Sequence, residues 1–272
     1  MLNVILPALL TLVGAGGGWL LRRWELASAF DADGLAIPGA PASICLIVLS
    51  VCLALVLTVV CLRPKPVQKN LGPGICAGKN WAYLVFCALA AAHLLIAGLS
   101  GLKDELLWGA PRILYLLLWA LCIISFFCVL SAALTGFRGK SRKYNALLLA
   151  PAYTFCVWLV VVYQQRSAEP VVLVYVYELL AIICALIAFY FAAGLSFGNP
   201  RPRFYVLFAL LSIYFGMVTL ADNHDLSAQL LLCFSLLYHM ANTAVLLRRM
   251  YLPVGKRASR KTNKTQEVTP DE

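Results

Sequence analysis

The chain has 272 residues, 62% of them hydrophobic and only 12% charged, with a net charge of +10 and a mean hydropathy of +0.85. Soluble domains are closer to half apolar and a quarter charged, and a core of this size could not hide the excess from water. Composition therefore excludes an ordinary soluble domain. The placement of the basic residues assigns the positive charge to membrane orientation rather than to nucleic acid.

Taken from the N-terminus, apolar stretches long enough to cross hydrocarbon, about 20 residues each, fall at 2–21, 42–62, 81–101, 113–136, 146–163, 171–195, 204–221 and 227–247. The first has no basic segment ahead of it and ends at Arg22-Arg23 rather than at a small-residue cleavage site. It reads as a span and not as a cleaved leader. Within it, Gly14 and Gly18 form a G-x-x-x-G pair suited to a close helix contact. Asp31 and Asp33 in the next segment suit an Asx-type turn, since the later ligands of a calcium loop are missing. Segments rich in Pro, Gly and charge punctuate the spans: RPKPVQKNLGPG after the second, FRGKSRKYN after the fourth, GNPRPR after the sixth. The fifth span is short and carries Pro151, which lipid tolerates where neighbouring helices satisfy the freed backbone groups. The expected fold is all-α: a polytopic integral membrane bundle of about eight transmembrane helices over residues 1–247. A basic tail, 248–272, is expected to be disordered.

Orientation follows from the distribution of Lys and Arg. Of 22 basic residues, 17 lie in the loops after spans two, four and six and in the tail, and 5 lie in the loops after the odd-numbered spans. Both termini are therefore expected in the cytoplasm, with no Lys or Arg inside a span. Trp24, Trp81 and Trp108 fall near the expected interfaces, as an aromatic belt requires. The seven basic residues of the tail are expected to meet anionic lipid head groups. The ten cysteines show no C-x-x-C and no zinc spacing; all but Cys76 lie in or at the ends of apolar stretches and read as small hydrophobes.

With the basic residues outside the spans, the ionisable residues left within them are His93, Glu178 and His239, and burying such groups in lipid is costly enough to mark a functional site. Glu178 shares a helix face with Tyr175, Ala181, Ala185, Ala188 and Ala192, a small-residue stripe that directs it into the bundle. The expected depths from the odd-loop side are about 10 Å for Glu178 and about 12 Å for His93. His239, on one face with Ser235 and Asn242, is expected at about 18 Å. The three would then line one descending polar pathway, with Tyr175 as a hydrogen-bond donor to Glu178; the alternative is that each only ties helices together. No metal or other cofactor is expected, because two His and one carboxylate on three separate helices lack any local ligand spacing.

The segments RRWELASAFDADGLAIPGAPA from Arg22, VYVYELLAIICALIAFYFAAGLSFG from Val174 and TLADNHDLS from Thr219 carry a resemblance. Through them the chain resembles multi-spanning membrane proteins of Gram-positive bacteria that have no assigned activity. The resemblance covers most of the chain, implies a bacterial plasma membrane and brings no mechanism. Two functions stand open: a small-solute or ion permease, or a membrane subunit of one, with Glu178 as its protonatable group; and a non-catalytic membrane partner or sensor subunit, associated with another membrane protein and acting through its outer loops and basic tail. An intramembrane enzyme is not expected, because the short loops leave no room for a catalytic domain.

Overall fold

The structure, a computed structural model, describes residues 2–31, 35–64, 80–108, 112–138, 145–167, 171–197 and 201–251. The tail beyond Tyr251, Asp33, Cys76 and Lys140 lie outside the described residues. Eight helices long and apolar enough to cross a membrane make up the described chain, with no strand among the described residues. They are α1 (Leu2–Ser28), α2 (Pro41–Leu62), α3 (Trp81–Trp108), α4 (Ile113–Phe137), α5 (Ala150–Arg166), α6 (Val176–Ser196), α7 (Pro202–Thr219) and α8 (Leu226–Tyr251). The chain is an integral, multi-pass membrane protein with an all-α bundle.

Prolines mark several starts. Pro41, Pro151 and Pro202 each sit in a first helical turn, where a missing N–H costs nothing. This is how Pro151 is accommodated: a 3-10 turn, Asn145–Leu149, leads in, and the α-helix begins only at Ala150. Two other boundaries depart from the hydropathy reading. Helix α1 runs on to Ser28 instead of ending at Leu21, carrying Arg22 and Glu25 inside it. Helix α6 begins at Val176 rather than at 171, after a 3-10 turn, Val172–Val174.

Six helices close a ring in the order α3, α4, α5, α6, α7, α8 and back to α3, each packing on its two neighbours. Helices α1 and α2 form a pair outside it, against α7, and α7 is accordingly the most buried span. The seam between α3 and α8 is fastened at two levels. Tyr83 donates to Asn242 Oδ1 at 2.9 Å, and the hydroxyls of Ser100 and Ser227 lie 3.0 Å apart. The alanine stripe of α6 is buried, from Ala181 to Ala192. The outward faces carry exposed Leu, Val, Ile and Phe, the surface that lipid solvates. Trp24 and Trp81 are exposed near helix ends. No disulfide joins the described cysteines.

The lumen of the ring is plugged midway by aromatic rings. Phe155 of α5 meets Phe189 of α6 at 5.0 Å and Phe234 of α8 at 6.1 Å, although α5 and α8 are not ring neighbours. Phe189 and Phe234 stack within 4° of parallel, and Tyr238 closes on both. The two ends of the ring differ in chemistry on either side of this layer, because the described acidic residues, among them Asp104, Glu105, Glu178, Asp222 and Asp225, all lie at one end.

The glycine pair of α1 is used for two different contacts. A Cβ on Gly14 would lie 2.6 Å from Leu53 of α2, whereas one on Gly18 would lie 2.7 Å from Val218 and 2.9 Å from the Tyr214 ring of α7. Tyr214 cannot retreat freely, since its hydroxyl is 2.8 Å from Ser50 Oγ of α2. Gly18→Ala should therefore destabilise the purified protein by about 1–3 kcal/mol, read as a lower midpoint in a detergent thermal melt. A midpoint equal to the parent's would show that the three helices have slack at this crossing.

Candidate functional site

At the end of the bundle that carries the α1–α2, α3–α4, α5–α6 and α7–α8 connections, polar side chains from α1, α5, α6, α7 and the α7–α8 connection form one continuous chain of contacts. Arg22 is its anchor. The side chain is fully buried; Nε bonds Asp222 Oδ1 and Nη1 bonds Glu25 Oε2, both at 2.7 Å. The remaining donors take two backbone carbonyls, Leu173 at 3.1 Å and Val174 at 2.7 Å, and the guanidinium lies 5.2 Å from the Tyr177 ring centroid. A planar fork of five donors suits this better than an ammonium could. The late start of α6 follows from the same contact, because the carbonyls of the 3-10 turn face Arg22 instead of continuing a helix.

From Asp222 the chain continues inward. The Thr219 hydroxyl donates to Asp222 Oδ2 at 3.2 Å. His224 Nε2 lies 2.8 Å from the Thr219 carbonyl and 3.1 Å from its hydroxyl oxygen. A carbonyl only accepts, so the hydrogen bond assigns a hydrogen to Nε2. That leaves Nδ1 facing Glu178 Oε1, at 3.7 Å. The other oxygen, Glu178 Oε2, faces Arg166 Nη2 at 3.5 Å. The Glu178 side chain is only 5% exposed. Two guanidiniums, Arg22 and Arg166, thus face three carboxylates, and a proton on His224 would balance the set.

Glu178 stands between two cavities. The smaller, about 240 Å³, is walled by Gln165, Arg166, Asn223, His224 and Asp225. The larger, about 390 Å³, occupies the mouth of the ring lumen between α3, α4, α5, α6 and α8. Asp104 and Arg112 at its rim are exposed, while Trp119 and Trp158 at its wall are buried. Trp158 also packs edge-on against Phe155 at 5.2 Å, so the inner wall of the cavity is continuous with the aromatic plug. Room for Trp119 comes from Gly101, where a Cβ would collide with the indole. Glu105 holds Arg112 through its backbone and its guanidinium, at 2.8 and 3.1 Å, which raises the Arg112 pKa above its ordinary value.

The residues expected to share one pathway are dispersed. Glu178 lies in the first turn of α6, about 3 Å along the helix from its start rather than 10 Å. His93 lies about 22 Å from the end of α3 and His239 about 20 Å from the start of α8. His239 is buried among Phe189, Tyr205 and Tyr238, with Nδ1 3.4 Å from the Tyr205 hydroxyl. Phe189 is eleven residues beyond Glu178 on α6, so His239 and Glu178 are about 16 Å apart along that helix, across the aromatic plug. His93 is half-buried, with Nδ1 2.8 Å from the carbonyl of Leu89 on its own helix. Asn242 serves the α3–α8 seam, donating to Tyr238 O as it accepts from Tyr83. Tyr175 ends the 3-10 turn and caps α6, and the ionic neighbours of Glu178 are Arg166 and His224.

Sequence reasoning missed Arg22, Arg166, Asp222 and His224. It also wrongly held every Lys and Arg outside the spans: Arg22 lies within a membrane-length helix and is fully buried. A signal was available in the run Arg22-Arg23-Trp24-Glu25, because the three-residue spacing of Arg22 and Glu25 is that of an intrahelical ion pair. No family model, curated protein or solved structure matches the chain.

Removing one partner from a buried ion pair strands the others. Arg22→Ala should cost on the order of 3–5 kcal/mol, and Arg22→Lys should fall between it and the parent, because one ammonium cannot reach all four oxygen partners. Thermal melts of the purified variants check the order. An Ala variant as stable as the parent would mean that this end of the bundle is held by packing alone.

Proposed function

We propose that the chain is a small-solute permease, or the membrane subunit of one, with the Glu178–His224 pair as its protonatable element. The observation that carries this reading is the position of Glu178: a buried carboxylate on the wall of a cavity at the mouth of the ring lumen, above an aromatic plug. A cavity on one side of a plug is the arrangement that alternating access requires, with the site reached from one face at a time. The pair supplies the coupling. With Nε2–H committed to Thr219, Nδ1 and Oε1 present lone pairs to one another until a proton occupies one of them. A solute that enters beside Glu178 shifts the charge balance and with it the proton.

The basic asymmetry supports a cytoplasmic placement of both termini, so that the vestibule faces outward across a plasma membrane. In a background free of native cysteines, Cys at Asp33 or Asp104 should react with an impermeant thiol reagent added outside intact cells. Cys at Lys140 should react only after permeabilisation. The reverse pattern would invert the vestibule.

Glu178→Gln keeps size and hydrogen bonding but cannot ionise. In proteoliposomes with a trapped pH-sensitive dye, the parent should move protons when supplied with pooled small solutes, and the Gln variant should lose this at unchanged membrane abundance. Retained solute-driven proton movement would remove Glu178 from the coupling step.

A second reading, a partner subunit, draws support from an apolar groove of about 410 Å³ outside the ring, between α1, α7 and α8. Leu9, Leu210, Ile213 and Met240 line it, a surface on which a partner's helix could pack. Recovery of the chain from native membranes in a fixed ratio with one other protein would favour that reading.

A further inference from the structure

The larger vestibule cavity combines two kinds of wall. Among the described residues, Asp104, Glu105, Glu178 and Asp225 contribute four carboxylates against a single guanidinium, Arg112. Tyr115, Trp119 and Trp158 contribute three aromatic rings. At about 390 Å³ the cavity falls within the usual range for small-molecule sites, about 300–1,000 Å³.

Arg112 demonstrates how these walls treat a cation. Its guanidinium carbon lies 3.6 Å from the Tyr115 ring centroid, and Nε and Nη2 bond the two Glu105 oxygens at 3.1 and 3.3 Å. This is a planar organic cation held between an aromatic face and a carboxylate, on a side chain that remains 62% exposed. With Arg112 committed to Glu105 and Tyr115, the cavity retains Asp104, Asp225 and Glu178, the last also facing Arg166, together with the two tryptophan walls.

We infer that this cavity binds a small organic cation, an amine or a guanidinium compound, between the Trp119 and Trp158 walls and the Glu178 and Asp225 carboxylates. An aromatic face attracts a cation through its quadrupole, most strongly for Trp and in a partly dry site. An anion entering the same space would meet the carboxylates. A neutral solute would desolvate Glu178 without supplying charge. The inference rests on the permease reading only for the transport step after binding; occupancy itself requires the cavity alone.

The test uses the full chain in nanodiscs, with choline and agmatine as cationic probes and 3,3-dimethylbutan-1-ol as the neutral isostere of choline. Acetate serves as the anionic control. Tryptophan fluorescence and the thermal midpoint are read together. Either cation should quench the fluorescence saturably and raise the midpoint, whereas the alcohol and acetate should do neither. Glu178→Gln and Asp225→Asn should each weaken cation binding roughly tenfold; Asp225 is exposed in the α7–α8 connection, so that variant keeps its fold even if the first does not. Equal response to the neutral isostere, or a preference for acetate, overturns the inference.

The two readings separate in proteoliposomes. Cation-selective binding without solute-driven proton movement leaves this site standing and sinks the permease. Proton-linked flux of anions or neutral solutes with no cation binding keeps the permease and sinks the cation site.

Discussion

A guanidinium removed from water has to be surrounded by oxygen atoms, and one end of this bundle is arranged around that requirement. Arg22 draws a carboxylate from its own helix, a carboxylate from the α7–α8 connection and two carbonyls from the approach to α6. Three elements far apart in sequence are thereby fixed to one another at a single atom cluster. The cost of stranding any partner in a low dielectric makes the arrangement all-or-none. Because the α6 approach is held this way, Glu178 is delivered to the lumen mouth in the first turn of its helix rather than deep within the span.

The remainder of the site inherits its geometry from that anchor. Asp222 is shared: one oxygen serves Arg22 and the other accepts from Thr219, whose carbonyl in turn orients His224 toward Glu178. A continuous run of polar contacts thus joins Glu178, through His224, Thr219, Asp222 and Arg22, to the helix pair outside the ring. The aromatic plug sets the inner limit of this chemistry. It separates the charged vestibule from His239, which sits in an aromatic setting of its own.

Lipid imposes long apolar runs, and such runs are legible in sequence, so the eight helices and the all-α class could be read directly. The alanine stripe of α6 and the glycine pair of α1 were legible for the same reason: close packing in lipid demands small residues at helical spacing. Charge at the end of an apolar run was misread as the end of a helix. Arg22 looks like a boundary until Asp222 is seen beside it, and that partner lies 200 residues away in sequence. Hydropathy likewise ran through 171–175, because Val and Leu are apolar whether or not their carbonyls continue a helix. For His93, helical spacing grouped it with buried Ala90 and Ala97, yet the side chain sits at the edge of that face and stays half-buried.

The ring closes between its first and its last helix, α3 and α8, a pairing that bears on biogenesis. When α3 and α4 leave the ribosome, the surface that will line the lumen has no partner but lipid or the insertion machinery. It waits until α8 is made, since domains assemble in the order of synthesis where contacts allow. The Tyr83–Asn242 and Ser100–Ser227 bonds are then the latches of the last step. A chain interrupted before Leu226 would hold most of the helices of the vestibule and still leave it open sideways to the bilayer.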